Sequence, residues 1–244
     1  MSKYIFLTAL LSFSSVASNT SIELSSENIT LEYAKPVRLE RVLTDANKHS
    51  VQSSPSAYNL SSALYNLNKQ RIANNKRQAV LNQIQNLKSS EPQLRQSLGI
   101  LNDQIKTWQV SYRESLTLDL DVVRLEPSTN PLLEGQYVFS YSDKSNTIAM
   151  QGLFFSPREA DLAPNKTVRS YLENIPRLSS ASDSFVWIIY PDGYYQQVGY
   201  AYWNDEQTPL PSGSTLFLGF NNPSDQLKQL EEDIVSLLAW RRNK

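Results

Sequence analysis

The spacing of apolar residues divides the chain into segments of different period. Between residues 21 and 34 apolar and polar positions alternate, and Ile29, Leu31 and Tyr33 share one parity, which predicts a β-strand. Between residues 55 and 110 the spacing becomes that of an amphipathic α-helix. The apolar positions there are Leu60, Leu64, Leu67, Ile72, Val80, Ile84 and Leu87, then Leu94, Leu98, Leu101, Ile105 and Trp108. We expect a helical hairpin or bundle, with helices starting at Ser54-Pro55 and at residues 90–93.

After residue 115 the alternation returns and predicts an extended strand. The row of one parity consists of Leu116, Leu118, Leu120 and Val122. Arg124 continues this row, whereas Asp119 and Asp121 lie on the opposite face. A core-facing arginine needs a carboxylate, backbone carbonyls or an anionic ligand, because a guanidinium does not lose its charge cheaply. If the row instead ends at the edge of the sheet, Arg124 meets water, and the pattern leaves both interpretations open.

The second half predicts several strands with one short helix. We expect strands at residues 136–141, 147–155, 185–190, 194–203 and 214–220, and a helix near residues 168–174. Residues 190–193, Tyr-Pro-Asp-Gly, fit a type I turn between two of these strands. The surrounding residues 186–205 hold two Trp and five Tyr, which suit either a carbohydrate-binding platform or ordinary sheet packing. Together with the first half, this order of elements predicts an α+β protein.

The last segment predicts an amphipathic terminal helix. Asn222 is the expected cap, Pro223 the first helical residue, and Asp225 lies in the first turn. The apolar face consists of Leu227, Leu230, Ile234, Leu237 and Leu238. This face can pack onto its own domain, or it can dock to a partner or a membrane.

The N-terminus has the pattern of a secretory signal peptide at residues 1–18. Lys3 precedes a short apolar run at residues 4–13, and small residues allow cleavage after Ala17 or Ser18. The run is too short to span a bilayer as a helix. No other segment is apolar enough to cross a membrane, so we expect a periplasmic protein.

Composition excludes several common chemistries. The chain has 244 residues, a formal net charge of −1, no Cys and a single His, His49, in a polar stretch. Without Cys there is no thiol nucleophile, disulfide or thiolate metal site. The near-neutral charge gives no electrostatic reason to expect nucleic acid. We therefore expect neither a metal nor a cofactor.

The order of several short motifs resembles a known family. These motifs are PVRLERVL, DLDVVRLEPSTNPLLEG, PNKTVRSYL, YPDG, AYWN and PLPSGSTLFLGF. Their succession is similar to that of the GfcC-like periplasmic capsule-biosynthesis proteins. The resemblance implies two β-grasp domains, similar to soluble domains of Wza-like polysaccharide exporters. The implied division is a domain at residues 19–142 with a helical insertion at about 55–110, a second at 143–220, and the terminal helix at 221–244.

The resemblance also implies a role without catalysis, in the assembly or export of capsular polysaccharide or exopolysaccharide. Arg124 matches the arginine of the family's central motif. With Asn130 and Trp203 it forms the set of candidate ligand- or partner-binding residues. The expected partner is the polysaccharide or its export machinery, with outer-membrane association possible through the terminal helix and the oligomeric state left open.

Two alternatives remain at this point. A polysaccharide-modifying enzyme would need two carboxyl groups facing each other across a cleft, and Asp192 with Asp205, or Asp119 with Asp121, are the candidates. A structural subunit of an outer-membrane export pore would use the terminal helix instead.

Overall fold

The computed structural model describes residues 19–25, 28–49, 61–140 and 146–242. The expected signal peptide, the expected helix start at Ser54-Pro55 and most of the expected boundary near residue 142 lie outside the described residues. Strands and helices are mixed along the chain, which confirms the predicted α+β class. In chain order they are β1 (Thr20–Leu24), β2 (Ile29–Tyr33), β3 (Val37–Arg38), α1 (Leu39–His49), β4 (Ala63–Asn66), α2 (Gln70–Ser90), α3 (Arg95–Thr107), α4 (Leu120–Leu125), β5 (Leu132–Leu133), β6 (Gln136–Ser140), β7 (Thr147–Gly152), β8 (Arg158–Asp161), α5 (Val168–Leu172), β9 (Phe185–Ile189), β10 (Tyr195–Gly199), β11 (Thr215–Leu218) and α6 (Asp225–Leu238).

The first sheet has the strand order β2-β1-β6-β4. β1 pairs antiparallel with β2 and parallel with β6, and β4 runs antiparallel to β6. Ile22 and Leu24 alternate along β1 and are fully buried. They share a core with Leu39 and Val42 of α1 and with Val123 of α4. The first half of the chain therefore has a core of its own between this sheet and two helices.

The assignment of Leu64 to a helical stripe is wrong, because Leu64 lies in β4. All four residues of β4 are buried, so the strand has no alternating pattern to reveal it. A short apolar run that is buried on both faces cannot be distinguished from a buried helix by its period. Leu67, also assigned to that stripe, lies in a short 3-10 helix, Leu67–Lys69.

The helices α2 and α3 form the predicted hairpin, but their apolar stripe packs on the second half of the chain. The buried stripe comprises Val80, Ile84, Leu87, Leu98, Leu101, Ile105 and Trp108. It shares one hydrophobic core with Ile148 and Met150 of β7 and Phe217 of β11. The side chain of Gln104 fixes this contact: its Oε1 accepts from the Gly152 N–H at 2.9 Å and its Nε2 donates to the Gly152 carbonyl at 2.8 Å.

The second sheet has the strand order β10-β9-β11-β7-β8. β7 and β8 form an antiparallel pair, β11 runs parallel to β7, and β9 is antiparallel to both β11 and β10. The predicted tight turn joins β9 to β10, with the Gly193 N–H donating to the Tyr190 carbonyl at 2.9 Å. β10 ends at Gly199 rather than at Trp203, and residues 200–207 form a loop.

Ser224, not Asn222, caps α6. The Ser224 hydroxyl accepts from the Leu227 N–H at 3.4 Å, and Asp225 lies in the first turn, as the sequence predicts. The apolar face packs into the core shared by α2, α3 and the second sheet. Within this contact Glu231 is 2% exposed, and its carboxylate accepts from the Phe220 N–H at 2.5 Å and from Trp187 Nε1 at 3.0 Å.

The predicted strand at residues 116–124 is wrong. Residues 116–119 belong to no strand or helix, and α4 follows. The cause is Asp119, whose carboxylate caps α4 by accepting from the N–H groups of Asp121 and Val122. Leu116, Leu118 and Leu120 do pack against the first core, so the alternating positions mark partly buried side chains but not a strand.

Within the described residues, no helix combines the length and the apolar character that crossing a membrane requires.

Candidate functional site

A cleft of about 970 Å³ opens between the first half of the chain, which ends with β6, and the second half, which begins with β7. One wall is the segment 114–119 with the start of α4. The opposite wall is the turn 192–195, and α2 and the end of α6 close the remaining side. We call it the Arg113 cleft, and its lining includes Lys76, Arg113, Glu114, Asp119, Asp192, Tyr194, Tyr195 and Trp240. Because both halves contribute, the site exists only when they are packed together.

Arg113 is held by backbone carbonyls at the floor of the cleft. Its guanidinium donates to the carbonyls of Pro191 at 2.7 Å, Ser62 at 3.2 Å and Ala239 at 3.5 Å. Among the described residues no carboxylate lies within ion-pair distance. Burial lowers the pKa of Arg113, while nearby Tyr65 and Asp192 act in the opposite direction. An arginine stays charged at neutral pH, so the cleft keeps a positive charge at its base.

Gly193 lets the turn approach this arginine closely. Its φ is +91°, and a Cβ on it would lie 3.1 Å from Cζ of Arg113. Any other residue would combine backbone strain with a crowded contact. The Pro-Asp-Gly sequence at residues 191–193 thus forms the hairpin turn and lets that turn pack against the guanidinium of Arg113.

Aromatic rings give the cleft its apolar surfaces. Tyr194 is 61% exposed and stacks on Tyr190 with ring centroids 5.7 Å apart. On the other side, Lys76 Nζ lies 4.2 Å from the centroid of the Trp240 ring. Burial lowers the pKa of Lys76, opposed by the charge of Asp233. Flat rings beside charged groups favour a ligand with both apolar faces and hydroxyl groups.

The carboxylates of the cleft are engaged locally. Asp119 caps α4, and Asp192 accepts from the Tyr194 N–H at 2.9 Å. Glu114 accepts from Lys69 Nζ and from Asn66 Nδ2, each at 2.7 Å. These contacts hold the walls in place and leave further oxygen lone pairs available for hydroxyl groups.

Two family models match the chain. Capsule biosynthesis GfcC, N-terminal, covers residues 17–141, and Capsule biosynthesis GfcC C-terminal covers residues 156–242. The chain belongs to the GfcC capsule-biosynthesis family. A relative in Escherichia coli (strain K12), named Uncharacterized protein YjbG, is 32% identical over 147 residues. That match covers 59% of this chain and spans only 60% of the length of YjbG.

Two of the predicted site residues of this GfcC-family chain meet at Glu40. Arg124 Nε lies 3.5 Å from the Glu40 carboxylate, and Asn130 Oδ1 accepts from the Glu40 N–H at 3.0 Å. Arg124 is not a core-facing strand residue: it lies on α4 with 47% of its side chain exposed. Asn130 follows the 3-10 helix Pro127–Thr129, and its side chain caps the first turn of α1. Neither residue lines the Arg113 cleft, and their binding roles remain predictions.

The third predicted residue, Trp203, lies in the loop after β10 and lines a separate groove. The five leucine and isoleucine residues of the terminal helix are at most 6% exposed and pack on their own chain. Their role in partner binding stays a prediction. Among the described residues no group of three or more His, Asp or Glu side chains has the arrangement of a metal site.

Sequence reasoning missed Arg113, which the structure places at the base of the cleft. Arg113 lies between the helical stripe, which ends at Trp108, and the alternating row, which begins at Leu116, so nothing in the pattern marks Arg113 as partly buried. Its three acceptors come from positions far apart in the sequence, before β4, at the turn after β9 and at the end of α6. Only the packing of the two halves brings these carbonyls together.

Proposed function

We propose that this chain is a non-enzymatic periplasmic factor in the assembly or export of capsular polysaccharide or exopolysaccharide, and that the Arg113 cleft binds the polysaccharide. Family membership supports the link to capsule biosynthesis. The observation that carries the binding role is the cleft itself, of about 970 Å³ and lined by Tyr194, Trp240, Lys76 and Arg113. Its volume lies in the range of small-ligand sites, so it accommodates a short stretch of a sugar chain.

We propose further that both halves are β-grasp domains. The sheet orders support this assignment. In each sheet an antiparallel hairpin lies beside a parallel strand that comes later in the chain: β1 and β2 with β6, and β7 and β8 with β11. The periplasmic location rests on the signal-peptide pattern of residues 1–18, and fractionation of cells that express the full chain tests it.

Calorimetric titration with purified surface polysaccharide tests the binding role. The informative variant is Tyr194→Ala, which removes an exposed ring from the cleft. We expect its affinity to fall by about fivefold, because ring stacking contributes on the order of 1 kcal/mol. The matched control is Phe155→Ala, since Phe155 is 62% exposed and outside the cleft, against 61% for Tyr194. Equal affinity of both variants and the wild type would count against the cleft.

A second candidate function is cleavage of the polysaccharide, because Asp119 and Asp192 line the same cleft. Glycoside hydrolysis uses one carboxyl group as the acid and another as the nucleophile or base. Both aspartates already accept backbone hydrogen bonds, which favours a structural role. Release of reducing ends from the polysaccharide by the wild type, lost in Asp119→Asn with Asp192→Asn, would establish the enzyme instead.

A pore subunit that used α6 as a membrane-crossing helix would first have to release the buried apolar face of α6. That face includes Leu230, Ile234 and Leu237, each at most 1% exposed. Removing three such side chains from a core costs several kcal/mol, by the usual transfer energies of about 2 kcal/mol each. The docked helix therefore favours the polysaccharide-binding role that we propose over a pore subunit.

A further inference from the structure

Tyr202 and Trp203 are the two most exposed aromatic side chains among the described residues. Their exposed fractions are 84% and 74%. They are adjacent in the loop 200–207 that follows β10. Large aromatic side chains gain free energy by burial, so two neighbouring rings left in water point to a surface that is covered when a ligand binds.

The loop that carries these rings is fixed by its polar side chains. Asn204 Oδ1 accepts from the Ala201 N–H at 2.9 Å, and its Nδ2 donates to the Ser184 carbonyl at 3.1 Å. Glu206 Oε1 accepts from the Gly199 N–H at 2.9 Å. Gly199 itself is required, because a Cβ there would collide with the Asn204 carbonyl oxygen. The rings are thus presented outward on a loop tied to β9 and β10.

Beneath the rings lies a groove of about 480 Å³ with balanced charges. Arg177 pairs with Asp183 at 3.0 Å and donates to the Tyr200 hydroxyl at 3.0 Å. Arg169 pairs with Glu173 at 3.6 Å and lies 5.6 Å from the centroid of the Tyr202 ring. Both ion pairs are partly exposed and therefore weak, so their N–H groups and oxygens can exchange partners with a ligand.

This combination fits a sugar ring better than a peptide or an anionic polymer. The C–H face of a pyranose is apolar and stacks on an aromatic ring, while its hydroxyl groups both donate and accept hydrogen bonds. A guanidinium donates hydrogen bonds to such hydroxyl groups, and a neighbouring carboxylate accepts hydrogen bonds from them. Carboxylates such as those of Glu173 and Asp183 are depleted from the core of a protein interface. Two cations balanced by two anions also give a polyanion little net attraction.

We propose that Tyr202 and Trp203, with Arg169 and Arg177, form a second saccharide site that holds one pyranose residue of a polysaccharide. We call it the Trp203 site. It rests on the proposed function in that its ligand is the same polymer, but none of its residues lines the Arg113 cleft. The protein would then hold the polymer at two separate points.

The four tryptophans of the chain allow the two sites to be observed separately. Trp203 reports its own site and Trp240 reports the Arg113 cleft. Trp108 is 4% exposed and serves as an internal control. The probe is a set of short oligosaccharides released by mild acid from the surface polysaccharide of the cells that produce the protein. They are titrated into the ¹⁵N-labelled protein, and the indole N–H signals are followed by NMR.

We expect the Trp203 signal to shift in a saturable manner while that of Trp108 stays fixed. A shift of Trp240 alone would overturn the Trp203 site and leave the proposed function intact. A shift of Trp203 alone would support the Trp203 site and overturn the cleft. No shift of either signal would overturn both.

Binding measurements on substituted proteins test which residues form the Trp203 site. In Tyr202→Ala, which keeps the Trp203 reporter, affinity at the Trp203 site should fall by about fivefold, the effect of losing one stacked ring. The matched control is again Phe155→Ala, which should bind as the wild type does. Unchanged binding in Tyr202→Ala at unchanged folding, judged by its remaining NMR signals, would remove Tyr202 from the site and overturn the proposal.

Discussion

Arg113 and Arg124 are held in very different ways. Arg113 donates to three carbonyl groups from three parts of the chain, whereas Arg124 makes a 3.5 Å pair with Glu40 at the surface. A buried carbonyl that loses its donor is left unsatisfied, and this costs more than the hydrogen bond contributed. A solvated ion pair has no such cost on removal.

Arg113→Ala should therefore destabilise the protein by about 2–4 kcal/mol. Arg124→Ala, the matched control, should change the free energy of unfolding by at most about 0.5 kcal/mol. Urea unfolding followed by circular dichroism measures both. A cost for Arg124→Ala as large as that for Arg113→Ala would contradict this description of the two sites.

The contact between helix α3 and strand β7 depends on Gly152. Its φ is +96°, and a Cβ there would collide with the Leu218 carbonyl oxygen of the neighbouring strand β11. Gly152 also exchanges two hydrogen bonds with Gln104. Gly99, inside α3, is the opposite case, since a Cβ there would meet only the flexible end of the Lys88 side chain, with Nζ at 3.7 Å.

We predict that Gly152→Ala destabilises the protein by about 2 kcal/mol or more, through backbone strain and loss of strand pairing. Gly99→Ala should stabilise it by about 0.5–1 kcal/mol, because alanine favours a helix interior. Thermal and denaturant unfolding of the two variants give both numbers. If both substitutions changed the free energy of unfolding by similar amounts in the same direction, the different surroundings described for Gly152 and Gly99 would be wrong.

The contact of α6 with the second sheet contains the buried carboxyl group of Glu231. Burial raises the pKa of Glu231 above its ordinary value of 4.5, and the donors Phe220 N–H and Trp187 Nε1 only partly oppose this. The folded protein therefore holds this proton to higher pH than the unfolded chain does. The contribution of Glu231 to stability is then greatest below pH 4.5 and declines as the pH rises through the folded-state pKa.

Glu231→Gln should remove the loss of stability that Glu231 causes as the pH rises. The difference in unfolding free energy between variant and wild type should shift in favour of the variant as the pH rises from about 4.5, and then level off. Urea unfolding at a series of pH values measures this difference, which cancels the titration of groups common to both proteins. A difference that does not change with pH would show that Glu231 titrates alike in both states.

The helical hairpin α2–α3 belongs by sequence to the first half of the chain and packs on the second half. Its stripe could be predicted, because Leu98, Leu101 and Ile105 have an unbroken helical spacing. Its partner could not, because periodicity identifies a buried face without saying what covers it. The same limit explains Arg113, whose acceptors come together only in the folded chain, and Asp119, where a cap overrides an alternating pattern.

We propose that the Arg113 cleft acts in the production of surface polysaccharide. The most direct measurement is the amount of surface polysaccharide in cells that lack the protein and are complemented with variants at equal protein levels. The cleft variant is Tyr194→Ala with Lys76→Gln, and the control is Phe155→Ala with Lys48→Gln, two exposed positions outside the cleft. We predict that wild type and control restore the polysaccharide and that the cleft variant does not. Full restoration by the cleft variant would contradict the claim.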